Sequence, residues 1–342
     1  SGLVGSEMCI RDSHINHYIS EAETILLTMH ENPDGDGLGS ATAMYHYLKE
    51  VDKDCRIIQV SKLPLEYHYL NAGDIIETYD VDRHGKWIEK VDLVIIFDVG
   101  DFKRIRAIKD QIEQHNIATL NIDHHPHPED HPFTHSVVDL KAASTGDMVY
   151  DYIKTVRNGN ITKAMAEGIY TAVMTDTGCF RYSNTNSHCH NIAIECIEVG
   201  VDTTSLYQRI YESSSHSRVA LLGKILRDIH YELDGVFAWF VIDQKMMDDA
   251  KATNADVEGF SDFVRTIRGV EVAMMVLENA DGSCRLNFRS KGKYIINGVA
   301  SELGGGGHKF AAGAIVNESI ETLLLSAVGK TRSAIITQSG QA

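Results

Sequence analysis

The sequence has no long hydrophobic run. Its longest apolar stretches, such as "LVIIF" (93–97), suit a buried strand and fall far short of a bilayer span. Nothing near the N-terminus has the basic, then apolar, then small-residue layout of a secretory signal. The six cysteines (Cys9, Cys55, Cys179, Cys189, Cys196, Cys284) include no C-x-x-C pair and no regular spacing. That argues against a disulfide framework or a cysteine-rich zinc site, and for reduced thiols in a cytoplasmic protein with no membrane partner. Positive charge is scarce: 32 Lys and Arg face 48 Asp and Glu, a net charge of −16. A stable complex with long nucleic acid needs a basic stripe to displace counterions, so that class is excluded. An anionic substrate then needs local positive features, either metal ions or a small basic patch. Repeats and low-complexity tracts are also missing.

What is present is enough chain, 342 residues, for two domains each with its own core. The first half alternates strand-like runs ("TILLTMH", "CRIIQV", "VDLVIIFDVG", "IATLNID") with helix-like ones ("GLGSATAMYHYLKEV", "RIRAIKDQIEQH"). Short buried strands with crossover helices predict an α/β fold with a mostly parallel sheet. Further on, "VFAWFVI", "VEVAMMVLE" and "CRLNFRS" predict strands of a smaller second α/β domain. We expect the first domain over 14–190, a helical connector over 191–229 and the second domain over 230–335. Residues 1–13, "SGLVGSEMCIRDS", have no helical or strand period and read as a non-native leader, with the first helix starting near "HINHYISEAETILL".

Four clusters of acidic or imidazole groups follow predicted strand ends: "HENPDGDGLGS" with His30, Asp34 and Asp36; "FDVGD" with Asp98; "DHH" with Asp123, His124 and His125; and "MTDTG" with Asp176. In open parallel sheets ligands sit beyond the carboxyl ends of the strands, so the four loops are expected to meet. Asp34 and Asp36 can point at neighbouring ions, and Gly35, Gly37 and Gly39 let the backbone approach closely. Any one cluster has a plainer account: an Asp after a strand is usually a turn former or helix cap, and a lone "DHH" is usually solvated. All four in one chain point to a metal site. Residues 121–135 hold five histidines in all. His127, His131 and His135, beyond a proline, are expected to be loop residues, and His46, His115, His188, His190, His216 and His230 to be structural.

Those segments, with "AVMTDTGCFRYSNT", resemble the four motifs of the DHH phosphoesterase superfamily, whose relatives include RecJ, family II pyrophosphatases and exopolyphosphatases. "NFRSKGKYIINGVASELGGGGHKFAAGA" (287–314) resembles the DHH-associated domain. The two-domain arrangement is most similar to the nanoRNase/pAp-phosphatase subgroup. The resemblance implies two divalent ions in the cleft between the domains, one held by His30, Asp34 and Asp98, the other by Asp36, Asp98, His124 and Asp176. Four carboxylates with two imidazoles suit Mn²⁺, with Mg²⁺, Co²⁺ and Fe²⁺ as alternatives. Asp123 then orients a ligand, and His125 faces the substrate. The activity implied is metal-assisted hydrolysis of two- to five-nucleotide RNA and removal of the 3′-phosphate from 3′-phosphoadenosine 5′-phosphate (pAp), in a chain for which a homodimer is plausible.

The second domain is expected to read the substrate. Residues 285–309 carry five Lys or Arg and one acid, Glu302, against the acidic whole. Gly305, Gly306 and Gly307 can form a backbone N–H nest for an anion, with Arg289, Ser290 and His308 beside it. A flexible glycine turn flanked by a solvated basic face is the alternative. Arg265, Arg268, Arg181 and Tyr182 are weaker candidates. A cyclic or linear dinucleotide phosphodiesterase (c-di-AMP or pApA) needs the same residues, and nothing in the sequence separates it cleanly. A pyrophosphatase or exopolyphosphatase is a further alternative, the former disfavoured by "GGGGH"; a processive exonuclease is disfavoured by the acidic charge and a non-catalytic binding protein by the intact donor set.

Overall fold

A computed structural model describes residues 2–127 and 130–340, with side chains from residue 12 onward. The chain divides between Ser213 and Ser214 into two compact units.

The first unit runs α1 (Gly2–Glu21), β1 (Thr24–Met29), α2 (Gly35–Glu50), β2 (Asp54–Gln59), β3 (Ile76–Thr78), α3 (Val81–Ile88), β4 (Leu93–Phe97), α4 (Ala107–His115), β5 (Ala118–Asp123), β6 (His135–Val138), α5 (Thr145–Val156), α6 (Lys163–Asp176), α7 (Ser187–Glu198) and α8 (Thr203–Tyr211). Its sheet has the order β3-β2-β1-β4-β5-β6, and every pairing is parallel. Strand β4, "LVIIF", is buried along its whole length, as a central strand covered on both faces must be. One face packs Leu27, Met29, Ile57 and Ile95 against Leu38, Met148 and Ile169 of α2, α5 and α6. The other packs Leu26, Val94 and Ile96 against Ile88, Ile108 and Ile112 of α3 and α4. Strand order reverses between β1 and β4, which opens a crevice at their carboxyl ends.

Several expectations change here. Helix α1 begins well before residue 14, and Asp12, inside the expected leader, is buried at 2% exposure and accepts from Thr155 Oγ1 at 2.6 Å. That part of the leader reading which concerns Ser1 lies outside the described residues. Strands β3 and β6 are short, half-exposed edges with no apolar run to betray them, and β6 takes in His135. Of the expected connector, α7 and α8 bury Ile192, Cys196 and Leu206 in the first unit's core. Helix α9 (His216–Arg227) instead buries Leu221 and Ile225 in the second unit.

The second unit continues with β7 (His230–Glu232), β8 (Phe237–Ile242), α10 (Gln244–Ala250), α11 (Asn254–Val257), α12 (Phe260–Arg265), β9 (Val272–Glu278), β10 (Cys284–Ser290), α13 (Asn297–Glu302), β11 (Gly306–His308), β12 (Ala311–Val316) and α14 (Ile320–Ser339). Its sheet order is β11-β12-β10-β9-β8-β7. The β8–β9 pair is parallel and the rest antiparallel. Alternate residues face two cores, Phe237, Met274 and Phe288 on one side with α14, and Ala238, Phe240 and Met275 on the other with α9 and α12.

Candidate metal centre

Each donor is delivered by the end of a regular element. Met29 ends β1, and His30 follows it, 4% exposed. Asp34 caps α2, its Oδ1 accepting from the N–H groups of Asp36 and Gly37 at 3.1 and 3.2 Å. Its pairing with His30 and these N–H groups, working against burial, hold its carboxyl below the usual carboxylate range. Asp36 sits in the first turn of α2 at 1% exposure, and its two oxygens accept from Thr145 N (2.8 Å) and Gly146 N (2.9 Å) at the start of α5. Asp98 follows β4 in the left-handed region at φ 57°, a conformation that Asp tolerates better than most residues. Asp176 is the last residue of α6, so the fourth cluster stands at a helix end and not, as expected, past a strand.

These residues converge. His30 Nε2 lies 3.4 Å from Asp98 Oδ2 and 3.6 Å from Asp34 Oδ2. His124 Nε2 lies 3.6 Å from both Asp36 Oδ2 and Asp176 Oδ2, and 3.9 Å from Asp98 Oδ1. Each ring is oriented from behind: His30 Nδ1 is 2.8 Å from Glu31 O, and His124 Nδ1 is 3.3 Å from Ala142 O. A carbonyl only accepts, so Nδ1 carries the hydrogen and Nε2 is left to face the carboxylates. His124 Nε2 and Asp98 Oδ1 are buried without a hydrogen bond. Buried polar atoms are normally paired, and a bare imidazole nitrogen among three carboxylates fits a cation between them.

The electrostatics show the same crowding of negative charge. Burial, then the charges of Asp98, Asp176 and Asp34, push Asp36 well above the usual carboxylate range. Burial, then Asp98 and Asp34, push Asp176 to about 7. Burial opposes the charge on His30, but Asp34 and Asp98 raise it to about 10. Burial and the neighbouring His125 lower His124. Among the described residues four groups bring three or more such donors together: His30, Asp34 and Asp98; Asp36, His124 and Asp176; Asp98, Asp123, His124 and His125; and, away from these, Asp147, Asp151 and His188.

Asp123, fully buried at the end of β5, holds His125: its Oδ1 accepts from His125 Nδ1 at 2.9 Å. Asp98 Oδ1 is 3.0 Å from the same nitrogen. Asp123 and Asp98 together raise His125 to about 11. His127 lies in the loop after β5, as expected, but it is not solvated. Its side chain is 6% exposed and its Nε2 donates to Asp123 Oδ2 at 2.8 Å. Asn184 is also newly placed, its amide donating to Ala143 O at 2.8 Å and to Asp176 Oδ2 at 3.2 Å. His188, expected to be structural, bonds Asp147 and Asp151 at 3.1 and 3.0 Å and braces α7 against α5. No spacing rule links these residues to the four motifs.

The glycines of the first motif serve packing more than a ligand. A Cβ at Gly39 would strike the carbonyl oxygen of Gly168, and one at Gly35 the side chain of Thr175. Helices α2 and α6 thus cross at backbone contact, which brings Asp36 beside Asp176.

In the second unit the glycine run is part end-cap, part strand. Gly304 N and Gly305 N donate to Ser301 O and Ala300 O, closing α13. Gly306–His308 form β11, exposed at the sheet edge. A Cβ at Gly305 or Gly307 would strike β12, whereas one at Gly306 would meet open space. The nest expected of all three glycines therefore reduces to the free edge of β11. Arg289 points its Nε at Asp262 (3.2 Å) and one terminal nitrogen at Phe288 O. Ser290 is buried at 2% exposure, its hydroxyl accepting from Gly292 N, so it braces the strand end and is not exposed as a substrate-binding residue would be.

The fold and site define a doubly wound α/β protein with an aspartate–histidine cluster, able to hold divalent cations, at its switch point. The chain belongs to the DHH family: residues 24–174 match the DHH family N-terminal domain and residues 236–331 the DHHA1 domain. It is similar to the bifunctional oligoribonuclease and PAP phosphatase NrnA of Bacillus subtilis, 29% identical over 87% of this chain and 91% of that protein. The Thermus thermophilus protein of the same name is 28% identical over 85% of this chain and 83% of its own. Among solved structures, an exopolyphosphatase-related protein from Bacteroides fragilis superposes with a TM-score of 0.85 at 28% identity, covering 96% of both chains. RecJ from Thermus thermophilus, TM-score 0.55 at 12% identity over 95% of this chain and 54% of its own, shares the fold.

Proposed function

We propose that this chain is a metal-dependent phosphoesterase that hydrolyses short oligoribonucleotides and pAp to mononucleotides. The observation that carries the reading is the buried nitrogen His124 Nε2, without a hydrogen bond inside a ring of carboxylates. The names of the similar proteins support the substrate class. His30, Asp34 and Asp98 would hold one divalent ion, and Asp36, Asp98, His124 and Asp176 the other, with Asp98 shared. The mixed carboxylate and imidazole set suits Mn²⁺, and Mg²⁺, Co²⁺ and Fe²⁺ are compatible. When bound, such ions supply an activated water and neutralise phosphoryl charge.

The chain's own residues do the rest. Asp123 and Asp98 occupy Nδ1 of His125, so Nε2 of its 41% exposed side chain is presented to the substrate phosphate. Arg289, His308 and the free edge of β11 at Gly306 would take a second phosphate or the nucleotide end, through charge-assisted contacts. Ser290, with Gly305 and Gly307, shapes that strand end from behind. The described cysteines from Cys55 onward are free, and no described helix is long and apolar enough to cross a membrane. A cytoplasmic enzyme in a reducing compartment is part of the proposal.

The test is a substrate panel with purified, Mn²⁺-loaded protein: pAp, pApA, a short and a long RNA, c-di-AMP, polyphosphate and pyrophosphate, with D98A as control. Turnover of pAp and the short RNA, absent in D98A, is expected. Turnover confined to c-di-AMP, pApA or polyphosphate would replace this substrate class, and full activity in D98A would refute the shared-ion centre.

A further inference from the structure

The carboxylate of Asp123 is gripped from both sides. Its Oδ1 accepts from the backbone N–H of His125 at 3.0 Å and from His125 Nδ1 at 2.9 Å, and its Oδ2 accepts from His127 Nε2 at 2.8 Å. Burial would raise this acid, but the bonds from His125 and His127 hold it below the usual carboxylate range. The His127 ring is itself fixed, its centroid 5.9 Å from that of His131 and 5.7 Å from that of Phe133.

The torsion that turns an Asp carboxylate is broad and nearly two-fold. A carboxylate held through one oxygen can therefore swing, whereas one held through both cannot. Asp123 is in turn what orients the ring of His125, since their bond and the 3.0 Å approach of Asp98 share a single nitrogen. Without His127, Oδ2 would be left fully buried and without a donor, free to draw the carboxylate out of line.

We propose that His127 is a positioning residue: by clamping Asp123 Oδ2 it fixes the orientation in which His125 meets the substrate phosphate. The inference rests on the phosphoesterase reading above and extends it to a fourth imidazole beside His30, His124 and His125. Asp123 only accepts, so Nε2 of His127 carries the hydrogen. A glutamine can supply an N–H from a similar distance along the side chain, alanine supplies none, and phenylalanine fills the ring's space without a donor.

The experiment compares wild type, H127A, H127Q, H127F, H125A and H125A/H127A, each Mn²⁺-loaded, on pAp and a diribonucleotide. It reads kcat and KM separately, and Mn²⁺ affinity by calorimetry. H127A and H127F are expected to lose about 10–100-fold in kcat, the usual cost of removing such a supporting contact. KM and Mn²⁺ affinity should stay within about threefold, H127Q should recover most of the rate, and the change should add almost nothing in the H125A background. H127F carries the comparison, as H125A/H127F, should H127A lose its fold. An equal loss with and without His125, an H127Q as slow as H127A, or an unchanged kcat would overturn the proposal. A wild-type rate in H125A would instead overturn the reading of His125, and this inference with it.

Discussion

Asp98 shows how a single side chain can meet attraction and repulsion at the same site. It is 5% exposed, adopts a left-handed backbone, and lies within 4 Å of His30, His124 and His125. Its charge helps push both Asp36 and Asp176 upward. Repulsion among buried like charges destabilises the folded state, and a bound cation reverses the sign. Asp98→Asn keeps the shape and tolerates the same φ. Asp98 also pairs with His30 and His125 and raises both, so in protein stripped of metal by chelation D98N is expected to melt lower than wild type, by roughly 2–4 °C for each kcal/mol of pairing lost in a unit of this size. Adding Mn²⁺ should then raise the melting temperature of wild type and leave that of D98N nearly unchanged. A D98N protein that is more stable without metal would show that repulsion from Asp36 and Asp176 outweighs the pairing with His30 and His125.

Among the elements, the decisive contact is the crossing of α2 over α6. Gly39 and Gly168 face each other there with backbone against backbone, and Gly146 at the start of α5 meets Ala172. The crossing places Asp36, in the first turn of α2, beside Asp176, at the end of α6, with His124 Nε2 at 3.6 Å from each. A methyl group at Gly39 would meet the carbonyl oxygen of Gly168 and the backbone nitrogen and Cβ of Ala172, none of which can rotate away. Gly39→Ala is expected to cost about 1–3 kcal/mol in urea unfolding, the range for overpacking, and to weaken Mn²⁺ binding by spreading the two carboxylates. Gly223→Ala on α9 is the contrast, because nothing lies within 4 Å of its added Cβ. That change should stabilise by up to about 1 kcal/mol, as for any exposed helical glycine. Equal effects from the two changes would mean that helix propensity, and not the crossing, governs Gly39.

In the molecule as a whole, each unit closes its own core, around Leu27, Ile95 and Met148 in the first and around Phe237, Met274 and Phe240 in the second. All the candidate donors lie in the first. A ligand stabilises only the unit whose native state binds it, by RT ln(1 + [L]/Kd). Calorimetry is therefore expected to resolve two transitions, with Mn²⁺ moving one of them by a concentration-dependent amount and leaving the other in place. A single transition that moves as one would mean that the units unfold together.

Much of this was legible in the linear order of residues. Mainly apolar runs of strand length marked β1, β4, β5, β8 and β9, because burial on both faces demands such runs whatever else surrounds them, and the alternation of "CRLNFRS" marked β10. His30, Asp34, Asp36, Asp98 and His124 could be picked out because each stands within a few residues of a strand's carboxyl end, where a parallel sheet opens its crevice. The edge strands β3 and β6 were not legible, since half-exposed edges need no apolar pattern. Nor was His127. Beyond Pro126 it looks like loop, and only the return of the chain beneath Asp123 buries its ring. Asn184 meets Ala143 from 41 residues away, and Gly39 meets Gly168 across most of the first unit. Local chemistry supplied the donor types and the strands that carry them. Which carboxylate faces both His30 and His124, which nitrogen is left bare and which glycine is packed backbone to backbone depended on contacts between distant segments, set by helix crossings and hydrogen-bond directions that exist only once the chain has closed on itself.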